Sequence, residues 1–270
     1  MFEYVFMQRG ILVGILLGAI IPLVGVTVVL KRLSMIGDAL SHTSLAGVAG
    51  GMIAGINPVA GAIAACLGGA LCVEGVRRHF KDQSELAVAI VMAAGIGLAG
   101  VLSGFVPNSS SFNSFMFGSI LRVSEQDVQM SVVISVLAVA FCFFLRKELF
   151  LMSFDERHAR CVGVPVSLIN FGFVIAVALV VAVAARTVGS LIVSSMMVVP
   201  VACALQISRS WKQCCLYAST VGMLTSLGGL VVSYELGLKP GGTIVLLAVV
   251  TLLFIFLVKR VVLLLKTRTV

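Results

Sequence analysis

The chain has 270 residues, of which 60% are hydrophobic and 11% charged, with a mean hydropathy of +1.17. Soluble domains carry about a quarter charged residues, and a disordered chain shows few apolar ones. The composition therefore excludes a soluble enzyme and a flexible linker and points to an all-α, polytopic transmembrane bundle. A formal charge of +8 does not argue for nucleic acid, because the basic residues lie in short clusters between long apolar runs, which is how membrane topology is encoded.

A spanning helix needs about 20 mainly apolar residues. Windows of that size fall at 10–30, 33–56, 58–76, 85–105, 128–145, 166–185, 187–207, 212–234 and 242–262, which predicts nine spans, or eight if one tight joint is absorbed. The joints at Asn57-Pro58 and Arg186 to Gly189 are short. No soluble domain fits between the windows, so residues 1–270 read as one membrane domain. The first window is too long for a secretory h-region and has no small-residue cleavage site before Lys31, so no cleavable signal is expected.

Lys and Arg give the orientation. With nine alternating spans, 15 of the 19 basic residues share one side, and the other keeps Arg9, Arg122, Arg186 and Lys239. That places the C-terminus in the cytoplasm and the N-terminus outside. Glycines at four-residue spacing (Gly10, Gly14 and Gly18; Gly47, Gly51 and Gly55; Gly100 and Gly104) predict close helix packing. Between 106 and 127, turn residues Pro107 to Ser111 precede an apolar stretch, Phe112 to Leu121, that is too short to span and suits a re-entrant or surface helix. The seven cysteines form no C-x-x-C pair and read as small packing residues.

Polar residues within apolar windows are costly and mark function. The strongest case is Asp38 and His42 in the second window. Four apart on a helix, they stack on one face, where a carboxylate oxygen and an imidazole nitrogen can hold one divalent cation. A neutralised pair that only tethers helices is the alternative. Glu74 beside Arg77 and Arg78 reads as an ordinary surface pair, and Glu235 near Lys239 as an outer helix end. Met196 and Met197 read as core, beside Pro200, which would kink its helix. The chain has no G-x-x-x-x-G-K-[ST] motif, no H-E-x-x-H and no Ser/His/Asp set, so it is not expected to be an enzyme. A transporter of this kind draws on a gradient or on a partner. The charged segment 154–165, in which Gly163 and Pro165 end a short amphipathic helix, is either a linker or a docking element.

These stretches together resemble the permease subunits of bacterial ABC importers for zinc, manganese and iron. The likeness is carried by Leu30 to His42 with Leu45 to Ala49, by Phe117-Gly118-Ser119-Ile120-Leu121, by Asp155 to Gly163, by Val188 to Val193 leading to Pro200, and by Pro240 to Leu246. The opening Met1-Phe2-Glu3-Tyr4 with Phe6 to Arg9 is more similar to the zinc members of Gram-positive bacteria. The resemblance implies a homodimer in the bacterial plasma membrane, surrounded by lipid, docked on a cytoplasmic ATP-binding subunit and fed by an extracellular metal-binding protein. It implies no resident cofactor, only the transported metal, with zinc expected and manganese or iron the alternatives. Asp38 and His42 match the family's metal-contacting pair, and Asp155, Glu156, Arg157, Ala159 and Gly163 match its coupling helix. Leu238-Lys239-Pro240 departs from the family pattern, which has an acidic residue before the proline. A gradient-driven metal carrier and a structural scaffold remain readings from other classes.

Overall fold

The computed structural model describes residues 5–80, 84–106, 112, 115–116 and 123–268. Among them are eleven α-helices and no strand. In chain order these are α1 (Val5–Leu30), α2 (Ile36–Ile53), α3 (Pro58–His79), α4 (Ser84–Ser103), α5 (Glu125–Phe144), α6 (Arg146–Phe154), α7 (Glu156–Cys161), α8 (Val166–Ala184), α9 (Ser190–Ile207), α10 (Trp211–Leu236) and α11 (Pro240–Arg268). A π-helical turn, Ala185–Gly189, extends α8. Among the described residues, seven helices are long and apolar enough to cross a bilayer: α1, α3, α4, α5, α8 with its π turn, α10 and α11.

Two of the nine expected windows hold something shorter. The windows 33–56 and 187–207 contain α2 and α9, each of 18 residues, or roughly 27 Å at 1.5 Å per residue. Backbone capping trims them. At the end of α1, Arg32 N–H donates to Val29 O (3.0 Å) and Leu33 N–H to Val28 O (2.9 Å). This is the paired pattern of a Schellman motif, with Arg32 at the left-handed position (φ 57°) where glycine is usual. At the other end of α2 the same pattern recurs, with Gly55 N–H on Met52 O and Ile56 N–H on Gly51 O. Asn57 then caps α3 by accepting from Val59 N–H at 3.0 Å, with Pro58 as the first helical residue. The short joint expected at Asn57-Pro58 is therefore a tight turn. Residues 187–189 belong to the π turn, and α9 starts only after Gly189.

α1 and α8 form the centre, with 67% of each spanning window buried, against 22% for α11 and 28% for α4 and α5. Val13, Leu17, Ile21 and Val24 of α1 meet Phe173, Val177 and Val181 of α8 in one core. The outer helices keep apolar side chains exposed, among them Val136 and Leu137 on α5 and Leu253, Phe254 and Leu257 on α11, which suits lipid tails rather than water. Helices α2, α3 and α4 pack on one another, and α9 closes the remaining side of α2.

Two runs of spaced glycine work as expected. A Cβ on Gly47 would stand 2.3 Å from Gly61 O, and one on Gly18 would stand 2.8 Å from Gly222 O, so α2 meets α3 and α1 meets α10 backbone to backbone. Ser226 Oγ, donating to Gly14 O at 2.8 Å, adds a polar tie to the second contact. The third run does not: Gly100 has open space around it, and Gly104 meets nothing closer than Val101 O of its own turn. Gly55 belongs to a cap rather than to packing. Lys81, Ser110 and the stretch Phe112 to Leu121, with the whole motif Phe117 to Leu121, lie outside the described residues, apart from Phe112, Phe115 and Met116.

Ion pairs and hydrogen bonds fix the helices at two levels. Arg9 meets Glu125 at 3.2 Å and Arg186 meets Asp127 at 2.7 Å, joining the starts of α1 and α5 to the end of α8. Asp127 also closes a capping box with Ser124. At the opposite level, Lys31 and Arg77 meet Glu156 at 3.6 and 3.4 Å. Lys259 Nζ there donates to Gln206 O at 3.1 Å, joining α11 to the end of α9.

The Gly47–Gly61 approach yields a test. Gly47→Ala should lower stability by about 1–3 kcal/mol, the usual cost of overpacking. Gly50→Ala on the same helix, where nothing lies within 4 Å, should leave it unchanged or raise it by up to about 1 kcal/mol. Thermal unfolding of the two purified variants beside the parent measures both.

Candidate metal pair and helix anchor

Asp38 and His42 do lie on one face of α2. Nε2 of His42 is 3.9 Å from Oδ1 of Asp38, and both side chains are only part-exposed, at 20% and 31%. Asp38 Oδ1 also accepts from Ser194 Oγ of α9, a long contact at 3.4 Å. At 3.9 Å the two groups are too far apart to hydrogen-bond. Two ligands on one metal, with bonds of about 2.0–2.2 Å at a tetrahedral angle, stand roughly 3.4 Å apart, so a small side-chain rotation suffices.

Packing fixes how α2 presents this pair. Thr43, the next residue after His42, is wedged between α3 and α4: a Cβ on Gly69 would lie 2.9 Å from its Cγ2, and one on Gly95 2.9 Å from its Oγ1. Its hydroxyl donates to Ala39 O at 2.7 Å and is thereby satisfied within the helix. On the other side, a Cβ on Gly37 would meet Met197 Sδ at 3.3 Å. Met196 and Met197 are buried core residues, as expected. Among the described residues, no group of three or more His, Cys, Asp or Glu side chains is placed to hold a metal. One copy thus offers two strong donors and a hydroxyl.

The segment expected to dock divides into two faces. Asp155 caps α7, accepting from Arg157 N–H at 2.8 Å and His158 N–H at 3.1 Å. Those two bonds, from His158 and then Arg157, hold its carboxyl below the usual carboxylate range. Asp155, Arg157, His158, Arg160 and Cys161 are exposed, whereas Ala159 is fully buried. The helix ends in a Schellman motif, with Gly163 at φ 87° and Val164 N–H donating to Ala159 O at 3.1 Å. A side chain at Gly163 would be strained there, and proline would also remove an N–H donor.

Glu156 behaves differently from its neighbours. Its carboxylate faces the bundle, with Lys31, Arg77 and the Nδ2 of Asn170 (3.1 Å) around it. Lys31 Nζ also donates to Asn170 Oδ1 and lies 5.7 Å from the centre of the Phe173 ring. Burial pulls the Lys31 amine down from 10.5 to about 8, partly offset by Glu156. For Glu156, burial is the largest single influence and pushes upward, but Arg77, Lys31 and Asn170 together outweigh it and leave the carboxyl below its ordinary 4.5. Glu74 does pair with Arg77, at 3.2 Å, but inside the protein rather than on the surface, with only 6% of the residue exposed. Sequence reasoning missed this anchor and Ser194. The one available signal was Asn170, a lone amide within the apolar window 166–185.

A helical membrane protein with a polar pair on a short helix packed against its neighbours, and a capped amphipathic helix at one end, has the architecture of a permease subunit. The chain belongs to the ABC 3 transport family, whose model matches residues 3–259. It is 34% identical to the "Probable metal transport system membrane protein" of Treponema pallidum over 97% of this chain and 98% of that one. It is 29% identical to the manganese transport system membrane protein MntC of Listeria innocua, over 94% and 91% of the two chains. The solved structure of PsaBC from Streptococcus pneumoniae in complex with Fab superposes with a TM-score of 0.83 at 28% identity, covering 94% of this chain and 92% of that one.

The Glu156 anchor predicts a pH response. Folding favours the carboxylate, so the folded state binds fewer protons than the unfolded one below about 4.5, and this stabilisation is lost as pH falls through the folded-state value. Lys31 contributes in the opposite range: folding disfavours its proton, so stability rises as pH climbs from about 8 toward 10.5. Unfolding midpoints of Glu156→Gln should therefore fall less steeply below pH 5 than those of the parent, and those of Lys31→Met should rise less above pH 8.

Proposed function

We propose that this chain is the membrane permease of an ATP-driven importer for a divalent transition metal, with zinc as the cargo, and that Asp38 and His42 are transient ligands on the path. The observation that carries this reading is the 3.9 Å separation of the two part-buried groups on one face of α2. An ionisable pair kept at bilayer depth without a direct bond is costly, and a divalent cation between the two favours carboxylate and neutral imidazole together. Two copies of the chain, each bringing an oxygen and a nitrogen donor, would complete a four-ligand set of the kind zinc takes. Weak, incomplete ligation in each copy suits a site that must release its cargo.

Manganese is the second reading, favoured by the name of the Listeria relative and by manganese's wider acceptance of oxygen ligands. Energy would come from a separate ATP-binding subunit engaging the exposed face of α7, through Asp155, Arg157 and the end set by Gly163, with Ala159 and Glu156 seating the helix from within. An external metal-binding protein would deliver the ion.

The path would cross the membrane nine times, with α2 and α9 as short crossings and the C-terminus in the cytoplasm. In support, the basic residues gather on the α7 side by sequence, and the ion pairs put the starts of α1 and α5 with the end of α8 at one level and the ends of α1 and α3 with α7 at the other. In a cysteine-free background, Ser110→Cys should react with an impermeant thiol reagent in intact cells, and Arg157→Cys only after permeabilisation. The reverse pattern removes the scheme.

Asp38→Asn keeps shape and hydrogen bonding while deleting the charge. It should reduce uptake of both Zn²⁺ and Mn²⁺ at least tenfold, with expression and the co-purifying ATPase unchanged, and His42→Ala should do the same. Uptake of both metals at the parent rate in Asp38→Asn would make the pair a structural tether. Competition between the two ions for uptake by the parent decides which is cargo.

A further inference from the structure

We propose that the Lys31–Glu156 pair is the rigid link through which a displacement of α7 reaches the Asp38–His42 pair, so that Lys31 is a positioning residue for metal handling. The inference rests on the permease reading above and adds to it a specific connection between the docking helix and the ligands.

Three observations carry it. First, Lys31 is deeply buried for a cation, with 3% of its side chain exposed, and its ammonium is held by Glu156 of α7 at 3.6 Å and by Asn170 of α8. Seating α7 would need only an apolar residue here, since an apolar pair of similar volume often stabilises as well as a buried ion pair or better. What an ion pair adds is a fixed position, and here it fixes α7 relative to the joint between α1 and α2.

Second, that joint has no slack. Lys31 N–H donates to Thr27 O at 3.0 Å, Arg32 N–H and Leu33 N–H close the Schellman motif, and Ile36 N–H donates to Leu33 O at 2.8 Å, where α2 begins. Leu33 is 3% exposed and Ile36 fully buried. Backbone hydrogen bonds from Lys31, Arg32, Leu33 and Ile36 thus tie the ammonium-bearing residue to the start of α2, and Asp38 lies in its first turn.

Third, Glu156 also holds Arg77 of α3, at 3.4 Å, and α3 packs backbone to backbone on α2 at Gly47 and Gly61. One carboxylate on α7 therefore grips both the chain that leads into α2 and the helix α2 leans on. Packed cores and ion-paired joints move between discrete arrangements rather than bending smoothly, so a shift of α7 must move the first turn of α2 relative to Ser194 on α9. That changes the geometry around Asp38, whose Oδ1 accepts from the Ser194 hydroxyl at 3.4 Å.

The test uses the full complex of this chain with its ATPase, in proteoliposomes for uptake and in detergent for binding. The double variant Lys31→Met/Glu156→Gln removes both charges at once and strands neither, and Glu74 remains beside Arg77. It should keep the co-purifying ATPase and an unfolding midpoint close to the parent's. It should bind Zn²⁺ and Mn²⁺ at equilibrium within about threefold of the parent, yet lose ATP-driven uptake of both at least tenfold. Lys31→Arg, which keeps the charge, should transport within about threefold of the parent. Uptake at the parent rate in the double variant overturns the inference. So does loss of the ATPase or a marked fall in the unfolding midpoint, because the pair would then merely hold α7 in place. Asp38→Asn, measured in parallel, separates the two proposals: if it binds and transports both ions normally, the metal-pair reading fails and this one with it. If it abolishes uptake while the double variant does not, only the link is wrong.

Discussion

A charge placed against an apolar bundle has to find a partner, and most of this structure is arranged around that requirement. Arg186 and Asp127 meet at 2.7 Å, Arg9 and Glu125 at 3.2 Å, and Arg77 reaches both Glu74 and Glu156. These pairs gather at the two ends of the helices, where they set the level of each relative to its neighbours. Asp38 and His42 are the exception. They sit within the bundle, 3.9 Å apart, near enough to share a cation and too far to satisfy one another. The closed end pairs hold the fold, and this open pair, alone among them, leaves room for a cation between its two groups.

Glycine makes the open pair possible. In lipid, apolar burial gives helices little reason to associate, and close van der Waals contact takes its place. The contacts of Gly47 with Gly61 and of Gly18 with Gly222 bring backbones together. They let the short, relatively polar α2 sit among α3, α4, α8 and α9.

Much of this was legible in the residues. Hydropathy gave the helical membrane class, and the spacing of Asp38 and His42 gave a shared face. Gly163 followed by Pro165 marked where α7 stops. Three things were not legible. The windows 33–56 and 187–207 are apolar enough to suggest full spans, but their ends are taken by backbone caps and a π turn, which hydropathy does not register. The run Gly100 and Gly104 has the spacing of a packing motif but no helix against it among the described residues, because spacing describes one helix and packing needs two. The division of labour on α7 was also hidden: Asp155 and Glu156 are adjacent and both acidic, yet one caps the helix in solvent and the other turns inward to Lys31 and Asn170. Only the tertiary arrangement distinguishes them.

The backbone contacts between α1 and α10 and between α2 and α3 have a thermodynamic consequence. In a water-soluble core, separating two packed elements exposes apolar surface to water. That gives a large positive heat-capacity change and weakens the core on cooling. Helices that part within a bilayer exchange protein neighbours for lipid chains and meet no water, so the heat-capacity change of these contacts is small. The association of α2 with α3 should keep its strength toward low temperature, where soluble cores lose theirs. Cold sensitivity would then arise in the parts of the molecule that do face water, α7 and the loops beside it.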